Sequence, residues 1–173
     1  PVPTKADAAQ AALDAERDKD KSVVVMNVFE VAAENDDEYR AANTTTGTVV
    51  FRQKGHDVEV TAHVAGLTPG AHGFHIHEKG DCSAPDGTSA GGHFNPGGQP
   101  HGHPQQGPHH AGDMPSLRAD ASGRAKATFV LEGVTVSPGP TSVVGRGLIV
   151  HKDPDDYKTQ PTGNAGARLA CAV

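Results

Sequence analysis

The run "GFHIHEKGDC", Gly73 to Cys82, sets two imidazoles one residue apart, with Phe74 and Ile76 on the alternate positions. Successive side chains of an extended backbone point to opposite faces, so His75 and His77 share one face and Phe74 and Ile76 the other. One face can bury and the other can bind a metal. The pair alone is a modest signal, and the stretch that follows it adds more. Between Glu78 and Leu117 stands "KGDCSAPDGTSAGGHFNPGGQPHGHPQQGPHHAGDMPS", which has little strand pattern and holds His93, His101, His103, His109, His110 and Asp113. Loops of this length inside a compact domain are usually functional or disordered. Proline and glycine keep this one from folding by itself, so order requires outside ties. A metal would supply them, and so would a bridge from Cys82.

The elements that must position these groups are short and of β type. The expected strands are 22–31 "SVVVMNVFEV", 47–51 "GTVVF", 57–64 "DVEVTAHV", 73–78 "GFHIHE", 125–131 "AKATFVL", 143–151 "VVGRGLIVH" and 167–171 "ARLAC". Turn clusters such as "QKGHD", "LTPGA" and "ADASGRA" bound many of them, the pattern of an antiparallel sandwich or barrel. Glycine (21) and proline (13) are abundant and aromatics few, which favours a loop-rich β protein over a helical one. Residues 1–21 are rich in Ala and charge, supply no core, and read as a frayed helix or tether ahead of a single domain over 22–173.

A formal net charge of -6 argues against sequence-independent binding to nucleic acid or to an anionic membrane surface. No apolar run approaches membrane-spanning length, and the N-terminus lacks the order of a signal peptide. Cys82 and Cys171 suit one disulfide in an oxidising compartment, and two buried thiols in a reducing one fit the count as well.

Five separated motifs, "GFHIHEKGDC", "SAGGHFNP", "PHGHPQQGPHHAGDMP", "GRGLIVHKDPDD" and "GNAGARLAC", in this order, resemble the copper-zinc superoxide dismutases from about Ser22 to the C-terminus. The resemblance implies an all-β fold, an eight-stranded antiparallel Greek-key barrel of immunoglobulin-like sandwich type with long metal-binding loops. It implies dismutation of superoxide, a copper ion, a zinc ion and a Cys82–Cys171 disulfide. Copper would be held by His75, His77, His93 and His151, and zinc by His93, His101, His110 and Asp113, with His93 bridging. His101 and His110 are preferred over His103 and His109 on spacing and on "HAGD". Four imidazoles suit Cu(II), and three with a carboxylate suit tetrahedral Zn(II).

Arg168 matches the arginine that guides the anion beside copper. Asp155 matches the aspartate linking a copper ligand to a zinc ligand, here His75 to His101, so its loss is expected to weaken zinc chiefly. His72 resembles a buried structural histidine, and His56 and His63 receive no role. Cys82 directly after "GD" and the short "YKTQP" resemble the bacterial branch. That branch implies an exported, periplasmic chain with its signal already removed, and both monomers and homodimers. The steering lysines of other members have no match here, which leaves Lys152 and Lys158 as substitutes. A non-catalytic copper- or zinc-binding relative on the same barrel would lack a copper ligand or the arginine, and this chain has both. A cupin would need a glutamate at another spacing than Glu78.

Overall fold

The computed structural model describes residues 23–30 and 45–173; the segment 1–21, read above as a helix or tether, lies outside them. Nine strands occur among the described residues: β1 Val23–Glu30, β2 Thr46–Lys54, β3 Asp57–Ala65, β4 Gly70–His72, β5 Phe74–His77, β6 Leu117–Ala119, β7 Ala125–Leu131, β8 Gly147–His151 and β9 Arg168–Ala172. Every strand pairing is antiparallel, in the order β4-β6-β7-β3-β2-β1-β9-β8-β5.

Period-two alternation builds the core. In β3 Val58, Val60, Ala62 and Val64 are buried while Asp57, Glu59, Thr61 and His63 are not, and β2 contributes Val49 and Phe51. Removing each such Val or Phe side chain from water stabilises the fold by roughly 1.5–3 kcal/mol. The meander β1-β2-β3 meets β7 rather than β4, a Greek-key connection.

Two chain segments pass between the two halves of the sheet. Strand β1 pairs with β2 through Val23–Val28 and then with β9 through Phe29 and Glu30. The second crossing is at Gly73. There the N–H donates to the Asp153 carbonyl and the C=O accepts from the His151 N–H, both at 2.8 Å. The residues before it pair with β6 and those after it with β8. Counting β4 and β5 as one strand bent at Gly73 recovers the eight strands expected. Three-residue β4 and β6 are too short to leave a periodic signal in sequence.

The 79–116 loop is ordered. Cys82 is bonded to Cys171 of β9, with Cα atoms 5.8 Å apart, and Ala90 and Ile149 pack with the buried Cys171. The loop adds main-chain bonds to the edge of β5, where Ile76 N–H donates to Gly112 at 2.9 Å and Phe94 N–H to Ile76 at 2.8 Å.

Candidate metal centre

Strand β5 has all four residues buried: Phe74 and Ile76 enter the hydrophobic core, and His75 and His77 face the other way, beneath the loop. Strand β8 ends in His151, and the loop contributes His93, His101, His110 and Asp113. The structure brings these into two groups, His75–His77–His93–His151 and His93–His101–His110–Asp113, each with its ligand atoms within 4.8 Å of one another. All seven residues are buried. His103 stands outside both groups, its ring edge-on to Tyr157 at 4.6 Å, and His109 also lies outside them.

In the first group one nitrogen of each ring is fastened and the other is not. His75 Nε2 bonds to Asp155 Oδ2 at 2.6 Å, His77 Nδ1 to the Gly91 carbonyl at 2.9 Å and His151 Nδ1 to the Gly166 carbonyl at 3.1 Å. Each of these partners is an acceptor, so each fastened nitrogen carries the proton. The four remaining atoms, His75 Nδ1, His77 Nε2, His93 Nε2 and His151 Nε2, are buried without a hydrogen-bond partner. Buried polar atoms without partners are rare and costly, and four together fit a metal as their missing partner. Burial pushes His75 down to about 4, His151 to about 3 and His77 well below its ordinary value, so at neutral pH these rings present lone pairs rather than charge.

The second group converges on nitrogens and an oxygen that crowd one another. Asp113 Oδ1 lies 2.9 Å from His93 Nδ1, 2.9 Å from His101 Nδ1 and 3.5 Å from His110 Nδ1, and the His93 and His110 Nδ1 atoms are 3.3 Å apart. Bonds of about 2.0–2.1 Å to a central zinc set tetrahedral ligand separations near 3.3–3.4 Å, so the donor set and its spacing fit that ion. Burial would raise the Asp113 pKa, but hydrogen bonds from His101 and His93 hold its carboxyl well below the usual carboxylate range. Its Oδ2 also accepts the His110 N–H at 2.8 Å and the Gly102 N–H at 3.1 Å. His93 therefore belongs to both groups, through Nε2 to the first and Nδ1 to the second.

Asp155, 6% exposed, joins the groups from behind: Oδ2 takes His75, while Oδ1 takes His101 Nε2 at 2.9 Å and the Tyr157 N–H at 2.7 Å. Burial opposes the charge of Asp155, yet the bonds from His101 and His75 prevail and keep it ionised. For His101, burial is outweighed by Asp113 and Asp155, which raise it to about 9. Gly163 passes over this contact with φ +70; a Cβ there would sit 2.5 Å from His101 Nε2 and strike Asp155 Oδ1, so glycine is required twice over.

Arg168, at the start of β9, donates to the Gly87 and Gly91 carbonyls, both at 2.7 Å. The Gly91 carbonyl thus receives both Arg168 and His77. The guanidinium charge acts on His77 and His151, and Asp86 is a carboxylate whose charge acts on Arg168. His72 is buried between the Thr68 and His151 carbonyls, each 2.8 Å away. It fixes the main chain of His151, a structural hydrogen bond as its motif suggests.

Tyr157 and Gln160 carry no mark in the sequence. The Tyr157 hydroxyl accepts the Ser116 N–H at 2.6 Å and so ties the segment after His151 to the end of the loop. The partners of Tyr157 and Gln160 lie 41 and 59 residues away, and no local pattern points to them.

Residues 45–173 match the copper/zinc superoxide dismutase family, and the chain belongs to that family. Among solved structures it is similar to the clock protein EA4, at 34% identity and a TM-score of 0.73 over 88% of this chain and 92% of that one.

Proposed function

We propose that the chain dismutates superoxide, turning two superoxide anions and two protons into dioxygen and hydrogen peroxide. The observation that carries this reading is the double membership of His93, whose two ring nitrogens serve two adjacent groups, one made of unpartnered imidazole nitrogens and one completed by a carboxylate. His75, His77, His93 and His151 would hold copper, and His93, His101, His110 and Asp113 would hold zinc. When bound, copper supplies the one-electron redox chemistry, while zinc contributes charge and geometry.

The chain's own groups do the rest. Asp155 orients His75 and His101, which keeps Nδ1 of each free of a proton or able to lose it. The guanidinium of Arg168 stays charged at any physiological pH and attracts an anion to the first group. His93 Nε2 is the buried nitrogen able to hold a proton there and pass it to the reduced oxygen species. The Cys82–Cys171 disulfide supports an exported, oxidising setting. The position of Cys82 after Gly80-Asp81 supports the bacterial-type branch, and a homodimer is part of the same reading.

A second reading, a non-catalytic metal-binding relative, is favoured by the likeness to EA4, a protein named for a clock and not for a reaction. Metal analysis with a superoxide-consumption assay separates the two. Catalysis predicts one copper and one zinc per chain with rapid consumption, abolished in His151→Ala while zinc stays bound, because the second group shares no ligand with His151. Both metals bound without consumption would select the second reading. Full activity in copper-loaded His151→Ala would remove His151 from the site.

A further inference from the structure

The segment after His151 reaches back to His101 through a contact that involves no titrating group. Gln160 lies 59 residues from His101 in sequence, and its carboxamide closes on that residue's main chain. The Oε1 accepts the His101 N–H at 2.8 Å and the Nε2 donates to the His101 C=O at 2.9 Å. His101 sits in a stretch without strand or helix, so these side-chain bonds replace the ladder that its main chain lacks. A carboxamide has one acceptor and one donor side in a plane and matches both groups of a single residue, as a neighbouring strand would.

We infer that Gln160 is a positioning residue for zinc: it fixes the main chain of His101 so that Nδ1 already points at the metal position before metal arrives. This rests on the assignment of zinc to the second group. Two torsions separate the main chain of a histidine from its ring. Asp155 holds the far nitrogen of that ring and Gln160 holds its root, so the place of Nδ1 is determined between two fixed ends. With the root released, the ring could follow Asp155 as the segment moves, and Nδ1 would leave the position 2.9 Å from Asp113 Oδ1. The segment has other fastenings whose hydrogen bonds do not involve His101, among them Tyr157 to Ser116, although the Tyr157 ring also stacks on His101, and the turn in which Asp156 binds Lys158 and Thr159. A role in holding the segment alone would therefore leave zinc binding unchanged when Gln160 is removed.

The test is a competitive zinc titration of the full chain against a chromophoric chelator, comparing the parent with Gln160→Ala and Gln160→Glu. Copper titration of the zinc-loaded proteins and thermal melting of the metal-free proteins accompany it. Groups that orient a metal ligand from behind are worth about 10–100-fold in affinity, and this neutral, partly exposed pair belongs near the lower end. Gln160→Ala should weaken zinc about tenfold, and Gln160→Glu, which keeps the acceptor for the His101 N–H but sets its second oxygen against the His101 C=O, should weaken it as well. Copper affinity should change far less than zinc affinity.

Zinc affinities equal to the parent in both variants would overturn the inference. So would an equal weakening of copper and zinc, which would mean a general loosening of the site. The titration does not read dismutation, so its result bears on Gln160 whether or not the chain is catalytic. A parent that binds no zinc would overturn the zinc assignment and this inference with it.

Discussion

Replacing Asp155 by Asn separates a turn residue from a carboxylate that organises both metal groups. The carboxylate accepts three hydrogen bonds, from His75 Nε2 at 2.6 Å, His101 Nε2 at 2.9 Å and the Tyr157 N–H at 2.7 Å. An amide of the same shape has one oxygen and one NH2. Placed with its oxygen at the Oδ1 position it keeps His101 and Tyr157 and turns NH2 toward His75. The opposite placement would set NH2 against two donors, so the first is favoured.

In that placement donor meets donor at His75, whose side chain is fully buried and shielded from solvent. His75 can escape by moving its proton to Nδ1, the atom that otherwise has no partner and would bind metal. The loss should therefore fall first on the His75–His77–His93–His151 group, whereas the motif alone suggested zinc. A hydrogen bond to a charged group contributes about 1.5–3 kcal/mol, which at about 1.4 kcal/mol per decade is roughly 10–100-fold in affinity. Chelator-competition titrations of copper and zinc, parent beside Asp155→Asn, measure it. Zinc weakened with copper unchanged would refute the donor–donor reasoning, and no change in either would return Asp155 to a turn role.

Reduction of Cys82–Cys171, which are 89 residues apart, should remove about 4–5 kcal/mol by the chain-entropy account, a fall on the order of 10 °C in the metal-free melting temperature. The metal-loaded protein should fall less, because metal holds the same loop; calorimetry with and without reductant checks this, and two free thiols in exported protein would end it. If the chain dismutates superoxide as proposed, its net charge of -6 requires Arg168 to guide the anion locally, within a Debye length of about 8 Å at physiological salt. Arg168→Glu should then lower the second-order rate far more than Arg168→Lys, most at low ionic strength. Parent-like rates in both, measured by pulse radiolysis, would make Arg168 structural.

The sequence exposes what the backbone period imposes. Alternation along 74–77 separates Phe74 and Ile76 from His75 and His77 because a strand must do so, and the structure keeps that separation. It does not show that the histidine face is closed over, since that depends on a loop whose order comes from Cys171, the edge of β5 and the buried Asp113. The bend at Gly73 was hidden for the same reason, as its two partners, Asp153 and His151, are about eighty residues away. Gln160 and Tyr157 bind main-chain groups, and a main-chain partner has no residue type to betray it. The family resemblance drew attention to Asp155, four residues after His151; Gln160, whose partner is a peptide unit, left no trace.

The shared carbonyl of Gly91 joins two side chains in one small piece of chain. His77 is oriented by it, Arg168 is fastened to it and to Gly87, and Cys82, nine residues earlier in the same loop, is bonded to Cys171 three residues after Arg168. Strand β9 thus grips the loop by a covalent bond and by two hydrogen bonds from a charged donor, each of the latter contributing about 1.5–3 kcal/mol. Gly91 takes φ +73, and a Cβ there would run into the Glu78 side chain, so the carbonyl's direction depends on glycine. The position of the Arg168 charge and the orientation of one imidazole of the first group are then set together. A change that shifts the loop should displace the Arg168 guanidinium and the His77 ring at once, even where His75, His93 and His151 keep their places.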